Sequence, residues 1–394
     1  MGYYMSDFES HSAVTDRKTA TLKELALLFL KLGTIAFGGP AAHIAMMEDE
    51  VVRRKNWLER EKFLDLLGIT NLLPGPNSTE MAIHIGYVQA GFLGLLVAGS
   101  CFILPAALIV AAIAWAYLSF GTLPVATQLL YGVKPVVIAV VLQALIRLTR
   151  TAVKTKFLAL IGLIAVVLSF LGVNELVVLF ASGVIVGIRQ WLSSHQQPPT
   201  ALLAVTPIVM AQAVKTAPVS FSLWALFLFF LKVGSVLFGS GYVLLAFLRA
   251  DLVERWHWLS DAQLLDAIAI GQVTPGPVFT TATFIGYVLA GPLGAVISTL
   301  GIFLPAFVFV ALSSPLVRFV RRSTIAGAFL DGLNVASLAL MAVVTWQLGI
   351  AAIVDPITVM LVIVSTILLI RFRLNSVWLV LGGGIIGLLT FWWG

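Results

Sequence analysis

Charge is what this chain has least of. Of its 394 residues, 11% are Asp, Glu, Lys or Arg, while 60% are hydrophobic and the mean hydropathy is +1.04. A soluble domain carries about twice that charge. Cysteine is almost missing as well. Cys101 stands alone in an apolar run, which excludes a disulfide framework and a cysteine-built metal cluster. The five histidines, His11, His43, His84, His195 and His257, have no metal-ligand spacing. No Gly-rich phosphate loop, HExxH or paired-carboxylate motif occurs, which argues against an enzyme and calls for no cofactor. Residues 1–20 lack the apolar core of a secretory signal and read as a disordered tail. No polar stretch is long enough for a soluble domain. The net charge of +6 could suggest nucleic acid, but the basic residues cluster at helix ends, as in loops facing the cytoplasm.

Apolar runs of roughly 20 residues fill the rest of the chain, which reads as an all-α polytopic membrane protein. Thr21 and Glu24 form a capping-box pattern ahead of a helix over Leu22–Phe37, which meets Gly38-Gly39-Pro40. A polar connector runs from Glu48 to Lys62. Two short apolar pieces, 63–73 and 81–90, flank Pro74-Gly75-Pro76. Longer runs follow at 93–118, 125–148, 157–171 and 176–191. Residues 193–222 begin with a Ser, Gln and Pro-rich linker and include a short apolar piece at 201–214.

After that linker the pattern repeats. Phe29-Leu30-Lys31-Leu32-Gly33 matches Phe230-Leu231-Lys232-Val233-Gly234, Trp57-Leu58 matches Trp258-Leu259, and Asp65 matches Asp266. Pro74-Gly75-Pro76 matches Pro275-Gly276-Pro277. Beyond it the offset falls from 201 to 200, and Gly86-Tyr87-Val88 matches Gly286-Tyr287-Val288. The reading is a tail (1–20), a first transporter repeat (21–192), a linker (193–222) and a second repeat (223–394). Arg147, Arg150, Lys154 and Lys156 follow the 125–148 helix, whereas Arg318, Arg321 and Arg322 precede its counterpart. The positive-inside rule then makes the repeats inverted. Two counts satisfy inversion: ten crossings plus two re-entrant hairpins bent at Pro-Gly-Pro, or thirteen crossings. Nothing fixes an oligomeric state, and a homo-oligomer stays open.

Each Pro-Gly-Pro must break a helix, because two backbone donors are lost and the rings clash with the preceding turn. A kink or surface loop is the plain alternative. The helix that resumes at Asn77, Ser78, Thr79 offers free N–H groups and a positive dipole end to an anion, as does the one at Thr280 and Thr281. Lys31 and Lys232 could offset a dianion's charge or snorkel to an interface. Glu80 could couple protons or serve the helix start, and His84, one turn on, could relay protons or simply pack. Asp65 and Asp266 could pair with lysine or cap helices. Gly38, Gly39 and Gly239 allow close backbone approach, to a substrate or to a neighbouring helix.

Phe37-Gly38-Gly39-Pro40 with His43, Glu50 to Arg54, Trp57-Leu58 and Leu73-Pro74-Gly75-Pro76-Asn77-Ser78-Thr79-Glu80 through Tyr87 together resemble the chromate ion transporter family, in its long two-repeat form. The resemblance implies a bacterial inner-membrane antiporter that exports chromate, is driven by protons, confers chromate resistance and meets sulfate as a competitor. The second repeat departs from the motif: Ser240-Gly241 stands for Gly39-Pro40, Val278 for Asn77, and a threonine for Glu80. Sulfate or other oxyanion uptake is the alternative within transport. A membrane enzyme or scaffold is the rival class.

Overall fold

The computed structural model describes residues 20–121, 123–194, 220–237, 243–372 and 374–393. The tail to residue 19, linker residues 195–219 with their apolar piece, Phe238 to Tyr242, and the side chains of Arg318, Arg321 and Arg322 lie outside the described residues.

The described chain is helical throughout. Helix α1 (Leu22–Ile35) starts at the expected capping box: Thr21 accepts the Glu24 N–H at 3.2 Å, and the Glu24 carboxylate accepts the Thr21 N–H at 2.9 Å. Gly38-Gly39-Pro40 ends one helix and starts another, α2 (Gly39–Glu48). Gly38 takes φ +104 and Pro40 sits in the first turn, where a missing N–H costs nothing. The supposed polar connector continues α2 as a π-helical segment, Asp49–Arg54. Then come α3 (Arg60–Thr70), the first break, α4 (Asn77–Phe120), α5 (Pro124–Ala152), α6 (Lys156–Phe170) and α7 (Glu175–Ser194). The second repeat gives α8 (Leu223–Val236), α9 (Leu244–Phe247) with its π segment Leu248–Arg255, α10 (Asp261–Val273), a 3₁₀ turn at Val278–Thr280, α11 (Thr281–Arg322), α12 (Thr324–Ala352), α13 (Pro356–Arg371) and α14 (Ser376–Trp393).

Both long helices of the breaks are hairpins. Ala90-Gly91 and Ala290-Gly291 leave helical dihedrals inside α4 and α11. Thr283 and Thr299 share a 2.7 Å hydrogen bond although 16 residues separate them; a straight helix would hold them about 24 Å apart. The chain also reverses at the breaks. A Cβ on Gly271 would lie 2.1 Å from Thr281 Oγ1, on the far side of Pro-Gly-Pro. Residues 77–89 therefore form a piece about 20 Å long, too short for a hydrocarbon core of about 30 Å.

Among the described residues, five helices are long and apolar enough to cross a bilayer: those spanning 77–120, 124–152, 175–193, 278–313 and 324–352. Four shorter apolar helices accompany them. Leu108, Leu163 and Ile350, each more than 60% exposed, belong to a large outward apolar surface. Lipid, not water, suits such a surface, and the protein is a multi-pass membrane protein.

Packing sorts the helices into two bundles that ignore the repeat boundary. In one, α1 lies on α4, α8 on α11, and α4 on α11. Glycines bring the backbones together: a Cβ on Gly33 would come 2.5 Å from the Phe102 carbonyl oxygen, and one on Gly234 2.3 Å from that of Ile302. In the other bundle α5 and α12 pack together, and the last helices are exchanged. Helix α7 lies on α12 of the second repeat, and α14 lies on α5 of the first. Gly132 meets Gly383, and Gly332 meets Gly183. Helices α5 and α12 run antiparallel, because Lys154 after α5 pairs with Asp331 early in α12, while Tyr131 early in α5 bonds Asp355 after α12. The basic stretches 147–156 and 318–322 thus gather at one end of this pair.

Candidate functional site

The freed backbone of each break is satisfied by the opposite repeat. Gly75 N–H donates to the Leu237 carbonyl at 2.8 Å, and Gly276 N–H donates to the Ala36 carbonyl at 2.9 Å. Ala36 and Leu237 are matching C-caps, of α1 and α8. The exchange is isologous, as across a two-fold axis. Buried backbone polar groups need such partners, above all in a membrane. The Ala36 carbonyl also accepts from His43 Nε2 at 3.0 Å. Gly75 has φ +135 and Gly276 φ +85, conformations that glycine alone adopts easily. Gly38 and Gly39 also have positive φ, and a Cβ on Gly39 would meet nothing within 4 Å.

The two breaks then differ. After the first, Ser78, Thr79, Glu80 and His84 are all buried. Thr79 Oγ1, both Glu80 carboxylate oxygens and His84 Nε2 lack hydrogen-bond partners among the described residues. The Glu80 carboxylate lies directly over Gly75, where a Cβ would come 2.6 Å from Oε1. After the second break, Thr280 and Thr281 are equally buried, but their hydroxyls donate to the Pro277 and Val278 carbonyls at 2.9 and 2.8 Å.

Lys31 and Lys232 are held within their own repeats, away from the breaks. Lys31 pairs with Glu50 at 2.7 Å, and Lys232 with Asp251 at 2.5 Å. A second cation stands on each carboxylate: Arg54 on Glu50 at 3.5 Å, and Arg255 on Asp251 at 2.5 Å. Arg255 also reaches Glu175 at 2.9 Å. These acids come from the π segments, whose extra residue per turn aims them at the lysine helix. The sequence showed Glu50 only as part of a motif.

A cavity of about 210 Å³ lies between the bundles. Asn71 and Asn77, bonded to each other at 2.8 Å, face it from the first break. Lys154, Asp331, Asn334 and Ser337 face it from α5 and α12. On the other side the bundles are tied shut. Lys134 of α5 pairs with Asp266 of α10 at 3.1 Å, and Tyr117 at the end of α4 donates to the same carboxylate at 2.9 Å. Asp266 thus pairs with lysine, one of the two roles open to it. Its partners carry no sequence signal, because they come from distant helices. Neither Thr280 nor Thr281 lines the cavity. Of the anion-binding candidates, Asn77 alone does.

The profile of the chromate transporter family matches residues 23–188 and 224–388. The chain is 34% identical to a chromate transport protein of Cupriavidus metallidurans over 392 residues, covering 98% of this chain and 97% of that one. It is 32% identical to a chromate transport protein of Pseudomonas aeruginosa, covering 93% and 92%, and to a probable chromate transport protein of Synechococcus elongatus, covering 86% and 88%. No solved structure matches. Two profile matches, placed on the two repeats that carry the breaks, and relatives aligned over most of their length make this chain a member of the chromate transporter family.

Proposed function

We propose that the chain is a proton-coupled secondary transporter that exports chromate across the bacterial inner membrane and so confers resistance. The observation that carries this reading is the reciprocal docking of the two breaks, in a chain whose relatives are named for chromate. Helix starts inside a bilayer are a means of holding an anion without a full countercharge. The reversal of the chain at both breaks favours ten crossings with two re-entrant hairpins. The antiparallel run of α5 and α12 favours an inverted repeat, and the gathered basic stretches favour the cytoplasm for that end.

Alternating access then moves one bundle against the other, each built from both repeats. Lys134, Asp266 and Tyr117 form the closed outer contact, and the cavity is the open inner one. Glu80 is the proton carrier, with His84 one turn away, because a buried carboxylate beside the break can gain and lose a proton where the anion passes. Lys31 and Lys232 act through their clusters: Lys31 and Arg54 face Glu50 and Asp49, and Lys232 and Arg255 face Asp251 and Glu175, so each lysine fixes a π segment in place without adding net charge. Sulfate, a tetrahedral dianion, competes for the site.

The test is chromate flux in inverted membrane vesicles, with and without an uncoupler and excess sulfate. Accumulation abolished by the uncoupler and reduced by sulfate is expected. Accumulation indifferent to the uncoupler would sink proton coupling, and sulfate movement without chromate movement would sink the substrate.

A further inference from the structure

The cavity joins groups that the sequence keeps far apart. Asn71 and Asn77 belong to one bundle, and Lys154, Asp331, Asn334 and Ser337 to the other. Ser337 is 1% exposed, and its hydroxyl has no hydrogen-bond partner among the described residues. A buried hydroxyl left unpaired destabilises a protein, so this one calls for a partner, a water or a ligand, from the cavity it lines. Lys154 is paired with Asp331 at 2.7 Å, and the two side chains are 59% and 30% exposed. This pair is wet and exchangeable, unlike a dry salt bridge. Next to it the helix of Asn77 begins, with its orphan N–H groups.

The duplication supplies an internal control. The positions matching Asn77, Asn334 and Ser337 in the other repeat are Val278, Lys134 and Val137, and those matching Lys154 and Asp331 are Val354 and Tyr131. A gap left merely by the fold would carry similar linings at both ends. Here one end has amides, a hydroxyl and an exchangeable lysine. The other keeps one amide, Gln272 in the place of Asn71, but otherwise has valines, a tyrosine bonded to Asp355 and a lysine already bound to Asp266.

We infer that this cavity is the intake site for a tetrahedral oxyanion dianion. Lys154 exchanges Asp331 for the anion, while Asn77, Asn334 and Ser337 donate to its remaining oxygens. Asp331 is the competing ligand: it neutralises Lys154 in the empty site, repels the arriving dianion and keeps binding loose enough for release. The inference rests on the transport reading above, and it adds the residues and the side on which the substrate enters.

Chromate and sulfate binding to the purified full-length chain in detergent, by titration calorimetry, tests it. Lys154→Gln is expected to weaken binding about tenfold, the worth of a charge-assisted hydrogen bond. Ser337→Ala is expected to weaken it about threefold to fivefold. Asp331→Asn is expected to tighten it severalfold, an outcome that misfolding cannot produce. Unchanged constants in all three variants, or a weaker Asp331→Asn, would overturn the site, as would a wild type that binds neither anion. The transport reading is judged apart, by wild-type chromate flux in vesicles. Flux with unaltered binding constants in the variants sinks the cavity alone. Binding tuned by the variants without chromate flux sinks the transport reading alone.

Discussion

Gly276 illustrates how little room the breaks leave. Its φ is +85, its N–H is bonded to Ala36, and an added Cβ would lie 2.6 Å from Ala106 Cβ and 3.2 Å from the Gly33 carbonyl oxygen. Both neighbours sit on helix backbone that cannot yield. Gly276→Ala is therefore expected to cost about 2 kcal/mol or more, from left-handed strain plus a clash. Gly382→Ala, whose Cβ would meet nothing within 4 Å, is expected to be neutral or stabilising. Thermal unfolding in detergent compares the two. Much at this scale was legible. Pro-Gly-Pro had to break a helix, and Thr21 with Glu24 had to start one, because those effects act within a turn of chain. The partners of Lys31, Lys232 and Asp266 were not legible. Each arrives from another element, and composition says nothing about which carboxylate a π segment will turn toward which lysine.

At the scale of elements, the turn between α12 and α13 is pinned by one carboxylate. Asp355 accepts the Thr358 N–H at 2.8 Å as the N-cap of α13, and the Tyr131 hydroxyl from α5. The Tyr131 hydrogen bond, aided by the Thr358 N–H, holds the Asp355 carboxyl below the usual carboxylate range. A carboxylate whose pKa is lowered by folding stabilises the fold above its unfolded pKa. That contribution disappears as pH falls through the lowered value. Tyr131→Phe is expected to leave less stability at neutral pH and a shallower loss toward acid, read from unfolding temperatures across an acid series. An equally steep acid loss in the variant would show that other groups carry the dependence. Sequence periodicity found most of these helices. It missed α2, because Gly38-Gly39-Pro40 reads as a stop, although glycine followed by proline serves equally well as an entry. It divided 81–90 from 93–118, where Ala90-Gly91 leaves helical dihedrals, and the re-entrant count carries the same division to Ala290-Gly291.

For the whole molecule, the exchange of α7 and α14 between repeats decides what can move. A repeat cannot rock as a block when its last helix is packed on the other repeat through glycine contacts as close as Gly132 on Gly383. In the proposed transport cycle the seam runs instead between the bundles, where the Lys134–Asp266 contact lies. Lys134→Cys with Asp266→Cys, joined by a short bifunctional maleimide, is expected to stop flux. Gln143→Cys with Leu369→Cys joins residues already in contact inside one bundle and is expected to leave flux nearly intact. The reverse pattern would place the moving seam elsewhere. Repeat matching announced two similar halves. It could not announce their interlocking, because helix exchange changes no residue in either copy.

The reciprocal hydrogen bonds of the breaks also set an order of events in biosynthesis. When the first hairpin enters the membrane, the carbonyl that will receive the Gly75 N–H belongs to Leu237, which the ribosome has not yet made. Until α8 arrives, the first half carries an unsatisfied amide in lipid and a groove on α5 where α14 belongs. A nascent chain stopped after residue 192 is thus expected to be a quality-control substrate, not half a carrier. Expressed alone it is expected to be degraded. Co-expressed with a separate chain of residues 220–394, it is expected to accumulate, since each half brings the acceptor the other is waiting for.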